Sequence, residues 1–293
     1  MPASFQDRYI LIEDCKELAD YYEDLLDNIS QFSFVVNRDG QFVEGNNSFK
    51  GVGFSKFVQK SSSILKKFIN IQQEKHRIDS SASDDTVIFP TVQMGPYGVT
   101  QDCDVTSSIL RAGEEGSSYH FATGYFNLTE RFMRDIMETR SRYSLLMAHP
   151  EANGFLGARF PIGGIPHAYT DIARTFRGRL LASGMAGRAR LFEYRRPGWT
   201  FHGKGLWVTE AGRSDPSLTM VGSPNFGYRS EKRDLESQLV IVTENEDLQR
   251  RLGEEQRRLY SHSEAVEDKT LETEDRRTPT WVKFVVKVAR EWF

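Results

Sequence analysis

The sequence predicts an α/β fold in which a mixed β-sheet is flanked by helices. Short apolar runs alternate along the chain with amphipathic stretches of helical period. Between Thr200 and Glu244, three such runs each deliver a polar group next to a turn. Adjacent strands assemble a site at one end of a sheet in this way, so the stretch predicts a functional centre as well as a fold.

The N-terminal segment is expected to form a strand and a helix. Residues 7–12, DRYILI, are typical of a strand, and Lys16 to Ile29 of an amphipathic helix. The helix would turn five side chains toward a core: Leu18, Tyr21, Tyr22, Leu25 and Leu26. A carboxylate, an apolar strand, an acidic turn and a helix occur again over residues 236–260. We interpret this as a degenerate internal repeat with Asp7 in the place of Glu236; a chance strand–helix pair is the alternative.

The chain divides by composition into four predicted regions. Residues 1–30 are interpreted as the remnant of a first repeat, and the polar residues 31–85 as an insertion with one helix from about Ser61 to Glu74. Residues 86–262 predict a complete second repeat of alternating strands and helices. Residues 263–293 predict a linker, because its first part is charged and polar, followed by an amphipathic helix.

The terminal helix, WVKFVVKVAREWF, has an apolar and a basic side. Trp281, Phe284, Val285, Val288 and Trp292 line the first, and Lys283, Lys287 and Arg290 line the second. Tryptophans with a basic face suit a membrane interface. A helix docked on the core is the alternative.

Composition excludes some classes of function. The net charge of −3 provides no bulk basic field for nucleic acid. Cys15 and Cys103 form neither a CxxC motif nor a metal-ligand pattern. No apolar run approaches the ~18 residues of a membrane span, and MPASFQDRY is typical of neither a signal peptide nor an Arg-rich transit peptide.

Candidate catalytic residues lie in the central stretch. His202 and Lys204 are two apart, so in a strand both point to one face. An imidazole can act as a nucleophile or a general acid/base. Lys204, Ser223 and Asn225 can hold phosphate oxygens. Glu236 is expected to orient His202, as a triad acid does.

Two arginines precede this motif. Arg195 and Arg196 are candidate contacts for a phosphate or a lipid headgroup, and a solvated pair is the alternative.

These residues resemble the H-x-K…G-S-x-N motif of the phospholipase D superfamily, and within it the eukaryotic, mitochondrial phosphatidylglycerophosphate synthases. The stretches that carry the resemblance are ATGYFNLT, HPEANGFLGA, RRPGWTFHGKGLW, GSPNFGYRS and RDLESQLVIVTEN. The resemblance implies a phospholipase D-like fold and phosphatidyl transfer from CDP-diacylglycerol to glycerol 3-phosphate, with CMP released. It also implies peripheral binding to the mitochondrial inner membrane and chemistry that requires no metal or other cofactor, while stimulation by a divalent cation stays open.

The chain departs from the superfamily pattern at two points. Thr209 stands where the pattern has an aspartate, and only one H-x-K motif is present, because no other histidine has a lysine two residues on. In the superfamily one histidine attacks phosphorus and the second acts as acid and base, the role implied for His202. We therefore expect a truncated form with weak or no activity alone, in which Asp7 is the vestigial partner of a histidine outside this chain.

Three alternatives stay open at this stage. A dimer could bring two copies of His202 together, although the Asp7 segment already occupies the place beside the second repeat. A phosphodiesterase or nuclease of the superfamily would share His202, Lys204 and Asn225, and would hydrolyse its substrate without glycerol 3-phosphate. A non-catalytic lipid-binding fragment would bind anionic liposomes without turnover.

Overall fold

A computed structural model describes residues 4–43, 49, 51–75 and 84–293. The chain forms two compact units, one of Met1–Tyr9, Asp85–Gln93 and Thr100–Phe293, the other of Ile10–Asp84 and Met94–Val99. The strands are β1 (Ser4–Gln6), β2 (Val35–Val36), β3 (Phe42–Val43), β4 (Thr86–Met94), β5 (Ser118–Thr123), β6 (Arg142–Ala148), β7 (Ala189–Tyr194), β8 (Trp199–Phe201), β9 (Gly205–Thr209), β10 (Leu218–Gly222), β11 (Leu235–Thr243) and β12 (Ser263–Ala265). The helices are α1 (Lys16–Ser30), α2 (Phe54–Lys75), α3 (Gln101–Arg111), α4 (Glu130–Glu138), α5 (Ile165–Ala182), α6 (Tyr228–Lys232), α7 (Glu246–Tyr260), α8 (Asp268–Glu272) and α9 (Thr280–Ala289).

An eight-stranded mixed sheet organises the first unit, in the order β12-β7-β6-β5-β9-β10-β11-β4. Strands β5, β6 and β7 are parallel, whereas β9, β10 and β11 pair antiparallel. Because successive strand residues face opposite sides, Phe121 packs into the cluster that contains α4 and α5, and Ala122 into the cluster that contains α7. The predicted mixed sheet with flanking helices is confirmed.

Side-chain caps mark the starts of helices α4 and α7. Thr129 accepts the backbone N–H of Phe132 at the start of α4, and Asn245 accepts that of Leu248 at 3.0 Å at the start of α7. These side chains satisfy backbone donors that have no partner within the helix. The two caps therefore help to fix where α4 and α7 begin.

A separate parallel pair of strands, β1 and β8, sets the geometry of the site. Its register places Gln6 opposite Phe201. The prediction of a strand over residues 7–12 was wrong, because β1 ends at Gln6 and residues 7–13 form no helix or strand. Asp7 and Arg8 leave the strand to make side-chain contacts described below.

The second unit contains α1, the β2–β3 hairpin and α2. Helix α1 was predicted almost to the residue, with Tyr21 and Leu25 buried, but Leu26 of the predicted inward face is exposed. Helix α2 is longer than the predicted 61–74 segment and packs Phe68 on Tyr21, with ring centroids 5.2 Å apart. The segment predicted as mostly loop is therefore partly helical.

The charged segment after Tyr260 is folded onto the sheet, so its interpretation as a linker was wrong. Strand β12 pairs antiparallel with β7. Arg276 forms a two-pronged ion pair with Glu193 at 2.6 and 2.7 Å, and both side chains are about 5% exposed or less. A buried charge needs such a partner, and here the partner lies on a central strand.

The terminal helix α9 packs against α5 with Val282 and Val286 buried. The docked alternative is thus confirmed for that side of the helix. Among the residues described, no helix combines the length and apolar character that crossing a membrane requires.

Candidate active site

Four strand ends meet at one edge of the sheet. Ala122 near the end of β5 pairs with Gly205 at the start of β9, and Gly222 at the end of β10 pairs with Gln238 near the start of β11. The residues that follow or precede these ends were predicted to converge. The structure brings His202, Lys204, Ser223, Asn225 and Glu236 to this edge.

Asp7 holds the imidazole of His202. Strands β1 and β8 are parallel, and Gln6 pairs with Phe201, so Asp7 and His202 are the first residues after the two paired strand ends. The backbone N–H of His202 donates to the carbonyl of Gln6 at 2.8 Å. Asp7 Oδ2 lies 2.7 Å from His202 Nδ1. Although burial acts to raise it, the pKa of Asp7 is lowered by the hydrogen bonds from His202 and from the N–H of Arg8 and by the charge of Lys204. An ionised carboxylate here fixes the proton on Nδ1 and makes Nε2 the reactive nitrogen.

The prediction that Glu236 orients His202 was therefore wrong, as was the pairing of Asp7 with a histidine outside this chain. Glu236 Oε1 instead accepts the hydroxyl of Ser230 at 2.9 Å, and that hydroxyl accepts the N–H of Asn225 at 3.0 Å. Burial raises the pKa of Glu236, against the hydrogen bonds from Ser223 and Ser230. Glu236 thus supports the turn that carries Asn225.

Lys204 is buried beside His202. Its Nζ donates to the carbonyl of His202 at 2.8 Å and lies 3.0 Å from Nε2 of the ring. Burial lowers the pKa of Lys204 to about 8, although the carboxylates of Asp7 and Glu236 act to raise it. A phosphate placed here would meet an ammonium group already stripped of most of its water.

Asn225 and Ser223 complete the set of polar groups. The side-chain oxygen of Asn225 accepts the backbone N–H of Tyr125 at 3.3 Å, which aims the amide NH₂ group away from that contact. Ser223 exchanges hydrogen bonds with the backbone of Ser237 at 3.3 Å. A side chain at Gly222 would overlap Gln238, so only glycine allows this close turn.

Arg8 is a residue that the sequence reasoning missed. Its side chain is 4% exposed and forms a two-pronged ion pair with Glu255, at 2.9 Å for each bond. The guanidinium also donates to the carbonyl of Met220 at 2.8 Å and lies 3.8 Å from the centroid of the Trp207 ring. Arg8 therefore anchors the segment that carries Asp7 onto the sheet. The only feature of the sequence that could have pointed to Arg8 is its position next to Asp7.

Gly205 makes room for this anchor. Its φ of +141° is costly for other residues, and a Cβ there would overlap the guanidinium of Arg8. The second glycine of HGKG is thus explained by the approach of Arg8.

Tyr125 was also missed, although it lies in the stretch ATGYFNLT. Its ring meets the ring of His202 edge to face at 5.9 Å and stacks on Tyr169 at 5.6 Å. Phe155 packs on Tyr125 at 5.5 Å. These rings form an apolar wall on one side of the imidazole.

The remaining candidates lie outside this cluster. Arg195 pairs with Glu151 at 2.8 Å, and the guanidinium of Arg196 lies 4.0 Å from the ring centroid of Trp199. Their contact with substrate stays a prediction. Thr209 is buried at the far end of β9, so the departure from the superfamily pattern does not fall at the site.

Potential metal ligands are not clustered in the part of the chain that the structure describes: no group of three or more His, Cys, Asp or Glu side chains could hold an ion.

Several known proteins are similar to this chain over nearly all of its length. No protein-family model matches the chain. The human mitochondrial CDP-diacylglycerol–glycerol-3-phosphate 3-phosphatidyltransferase is 38% identical over 312 residues, covering 98% of this chain and 56% of the relative. The Gallus gallus enzyme of the same name is 40% identical over 315 residues, covering 98% and 57%. A probable enzyme of that name from Dictyostelium discoideum is 31% identical over 305 residues, covering 97% and 51%.

A solved structure shares the fold. Phosphatidylserine synthase from Haemophilus influenzae matches with a TM-score of 0.63 at 17% identity, over 94% of this chain and 59% of that one. The chain spans about 56% of the length of the vertebrate relatives. The similarity in sequence to the CDP-diacylglycerol–glycerol-3-phosphate 3-phosphatidyltransferases extends over nearly all of this chain's own length.

Proposed function

We propose that this chain takes part in the transfer of a phosphatidyl group from CDP-diacylglycerol to glycerol 3-phosphate, which yields phosphatidylglycerophosphate and CMP. The observation that carries the proposal is the Asp7–His202–Lys204 cluster, in a chain whose relatives are named for that reaction. The site supplies an oriented imidazole and buried donors for phosphate oxygens, and phosphoryl transfer depends chiefly on such positioning and charge stabilisation.

His202 is proposed as the general acid and base. Nε2 takes a proton from the acceptor hydroxyl of glycerol 3-phosphate as that oxygen bonds to the lipid phosphorus and the bond from phosphorus to the phosphate oxygen of CMP breaks. The imidazolium then gives this proton to the phosphate of the released CMP. Asp7 stabilises the imidazolium that exists between the two proton transfers.

The other polar groups are proposed to hold the phosphate. Lys204, Ser223 and the amide of Asn225 contact the non-bridging oxygens. A bound anion favours the protonated form of Lys204. Glu236 and Ser230 fix the backbone of the turn that carries Asn225. The charge developed on phosphorus is met by these groups, so we propose that no metal ion is required.

One histidine cannot serve as nucleophile and general acid at the same time. The sequence has a single H-x-K motif, and we therefore expect this chain to be weakly active alone. Loss of one member of a catalytic pair commonly lowers the rate about 10³-fold or more.

The lipid substrate lies in a membrane, so we propose that the reaction takes place at a membrane surface. The names of the vertebrate relatives support a mitochondrial location, and we propose the inner membrane.

The test is CMP release from CDP-diacylglycerol in mixed micelles, with and without glycerol 3-phosphate. Release that depends on the acceptor and is lost in His202→Ala supports the proposal. Release that is independent of the acceptor, or cleavage of single-stranded DNA by the same preparation, favours a hydrolase instead. Equal release by wild type and His202→Ala refutes the role of His202.

A further inference from the structure

The side of α9 opposite its buried valines is apolar and exposed. Phe284 is 67% exposed and Val288 is 70% exposed, and the two lie one turn apart. The helix therefore docks on the core through Val282 and Val286 while it presents a second apolar side to the outside. Solvated helices do not gain stability from such a side, so it predicts a further contact.

The loop of residues 155–162 extends this surface. Phe160 is 81% exposed, and its ring lies 5.3 Å from that of Trp281 at the start of α9. Gly164 lets the indole of Trp281 approach closely, because a side chain there would overlap the ring. Loop and helix thus form one apolar outer face, which we define as Leu156, Phe160, Ile162, Trp281, Phe284 and Val288.

The two segments that form this face carry charged side chains of one sign only. Residues 154–164 and 279–290 contain no acidic side chain, although the whole chain has a net charge of −3. Arg290 is paired with Glu130. Within the described residues no ion pair engages Arg159, Lys283 or Lys287. Three cations are therefore available at the edges of an apolar surface.

Ring contacts connect the outer face to His202. Phe155, at the start of the loop, packs on Tyr125, which contacts the imidazole. From the other side, the terminal Phe293 meets Tyr169 at 6.1 Å, and Tyr169 stacks on Tyr125. The surface therefore adjoins the site that handles phosphate.

We infer that the apolar outer face seats in an anionic lipid bilayer and holds His202 at the height of the lipid phosphates. Aromatic side chains enter the boundary between headgroups and acyl chains, while the flanking cations meet lipid phosphate. The inference rests on the proposed function for its purpose, since it explains how a lipid substrate reaches the imidazole without leaving the membrane. These cations favour an anionic bilayer over a second copy of this chain as the partner. In a dimer formed through this face, the cations of one copy would meet the same cations of the other.

The test is co-sedimentation with vesicles of phosphatidylcholine mixed with phosphatidylglycerol, without CDP-diacylglycerol. The double variant Phe160→Ser/Phe284→Ser removes two exposed rings and should weaken partitioning at least about tenfold, or ~1.4 kcal/mol. Lys283→Gln/Lys287→Gln should weaken binding to these vesicles and leave binding to pure phosphatidylcholine unchanged. Val242→Ser, at the end of β11 roughly 20 Å from Glu236, removes an exposed aliphatic side chain elsewhere and should bind as wild type does.

Unchanged partitioning of the Phe160/Phe284 variant overturns the inference, as does a wild-type chain that fails to bind the vesicles. Light scattering that shows a dimer dissolved by the same variant also overturns it, because the face would then join two copies. The outcome is separate from that of the proposed function. His202→Ala should bind vesicles normally, and CMP release is measured in micelles.

Discussion

Asp7→Asn removes the negative charge opposite His202 and keeps the size of the side chain. In the native site the carboxylate accepts the Nδ1–H of the ring at 2.7 Å. An asparagine amide can either accept from Nδ1–H or donate to Nδ1, so it no longer selects one tautomer. We expect the variant to fold normally and to lose the fixed proton on Nδ1.

The size of the effect follows from the geometry. A hydrogen bond to a charged group contributes about 1.5–3 kcal/mol. The side chains of His202 and Asp7 are 38% and 22% exposed, so the lower end applies to the resting site. A loss of about 1.5 kcal/mol corresponds to roughly a tenfold change in the tautomer ratio. The imidazolium depends on the carboxylate more strongly, and loss of a triad acid lowers turnover by up to about 10⁴-fold.

Nitrogen-15 correlation spectra of the imidazole give the tautomer directly and do not require the chain to be active. Wild type should show the proton on Nδ1, and Asp7→Asn a mixture. Glu236→Gln is the matched control, since its carboxylate accepts from Ser230 rather than from the ring. A tautomer that changes in Glu236→Gln and persists in Asp7→Asn would refute the pairing.

Three further predictions concern other charged groups. Because burial lowers the pKa of Lys204 to about 8, the binding of phosphate at pH 8 should be accompanied by the uptake of roughly half a proton. Calorimetry in buffers of different ionisation enthalpy measures this uptake. Lys204→Arg should abolish it, and an unchanged uptake in that variant would contradict the assignment. Arg8→Gln should lower the free energy of unfolding by about 3 kcal/mol and reduce CMP release further than stability explains, because Asp7 loses its anchor; native turnover in the folded variant would contradict that role. Arg276→Gln leaves Glu193 buried without its partner and should lower the free energy of unfolding, measured in urea, by about 3–5 kcal/mol. Arg277→Gln replaces an exposed side chain and should change that free energy by no more than about 0.5 kcal/mol. Equal effects of the two substitutions would contradict the buried pair.

Local patterns in the sequence were sufficient for the sheet and most helices. The three apolar runs between Thr200 and Glu244, which form β9, β10 and β11, and the helical period of α1 are properties of neighbouring residues, and each was found close to its predicted place. The spacing of His202 and Lys204 also predicted that the two side chains lie together, and Lys204 Nζ is 3.0 Å from Nε2 of the ring. The contact of Asn225 with a phosphate stays a prediction.

The partner of His202 could not be found in this way. Asp7 lies 195 residues away in the sequence, and the contact depends on the parallel register of β1 with β8. Glu236 was the nearer carboxylate, and its preference for Ser230 arises from the turn that carries Asn225. Long-range register is set by packing, which a single sequence does not reveal.

Composition also misled at the C-terminal segment. Residues 261–277 are charged, yet β12 pairs with β7 and forms an edge strand of the sheet. Arg276 is buried because it forms an ion pair with Glu193 on β7. The two readings of α9 were posed as alternatives. The structure shows the docked side and leaves the other side exposed, so the two are compatible.

The role of His202 is tested most directly by the incorporation of radiolabelled glycerol 3-phosphate into lipid from CDP-diacylglycerol. The wild-type chain should incorporate label at a low rate that exceeds the level given by His202→Ala and falls to that level without CDP-diacylglycerol. Equal incorporation by the two proteins, or no label in the lipid phase, would contradict the claim that His202 performs acid and base catalysis in phosphatidyl transfer.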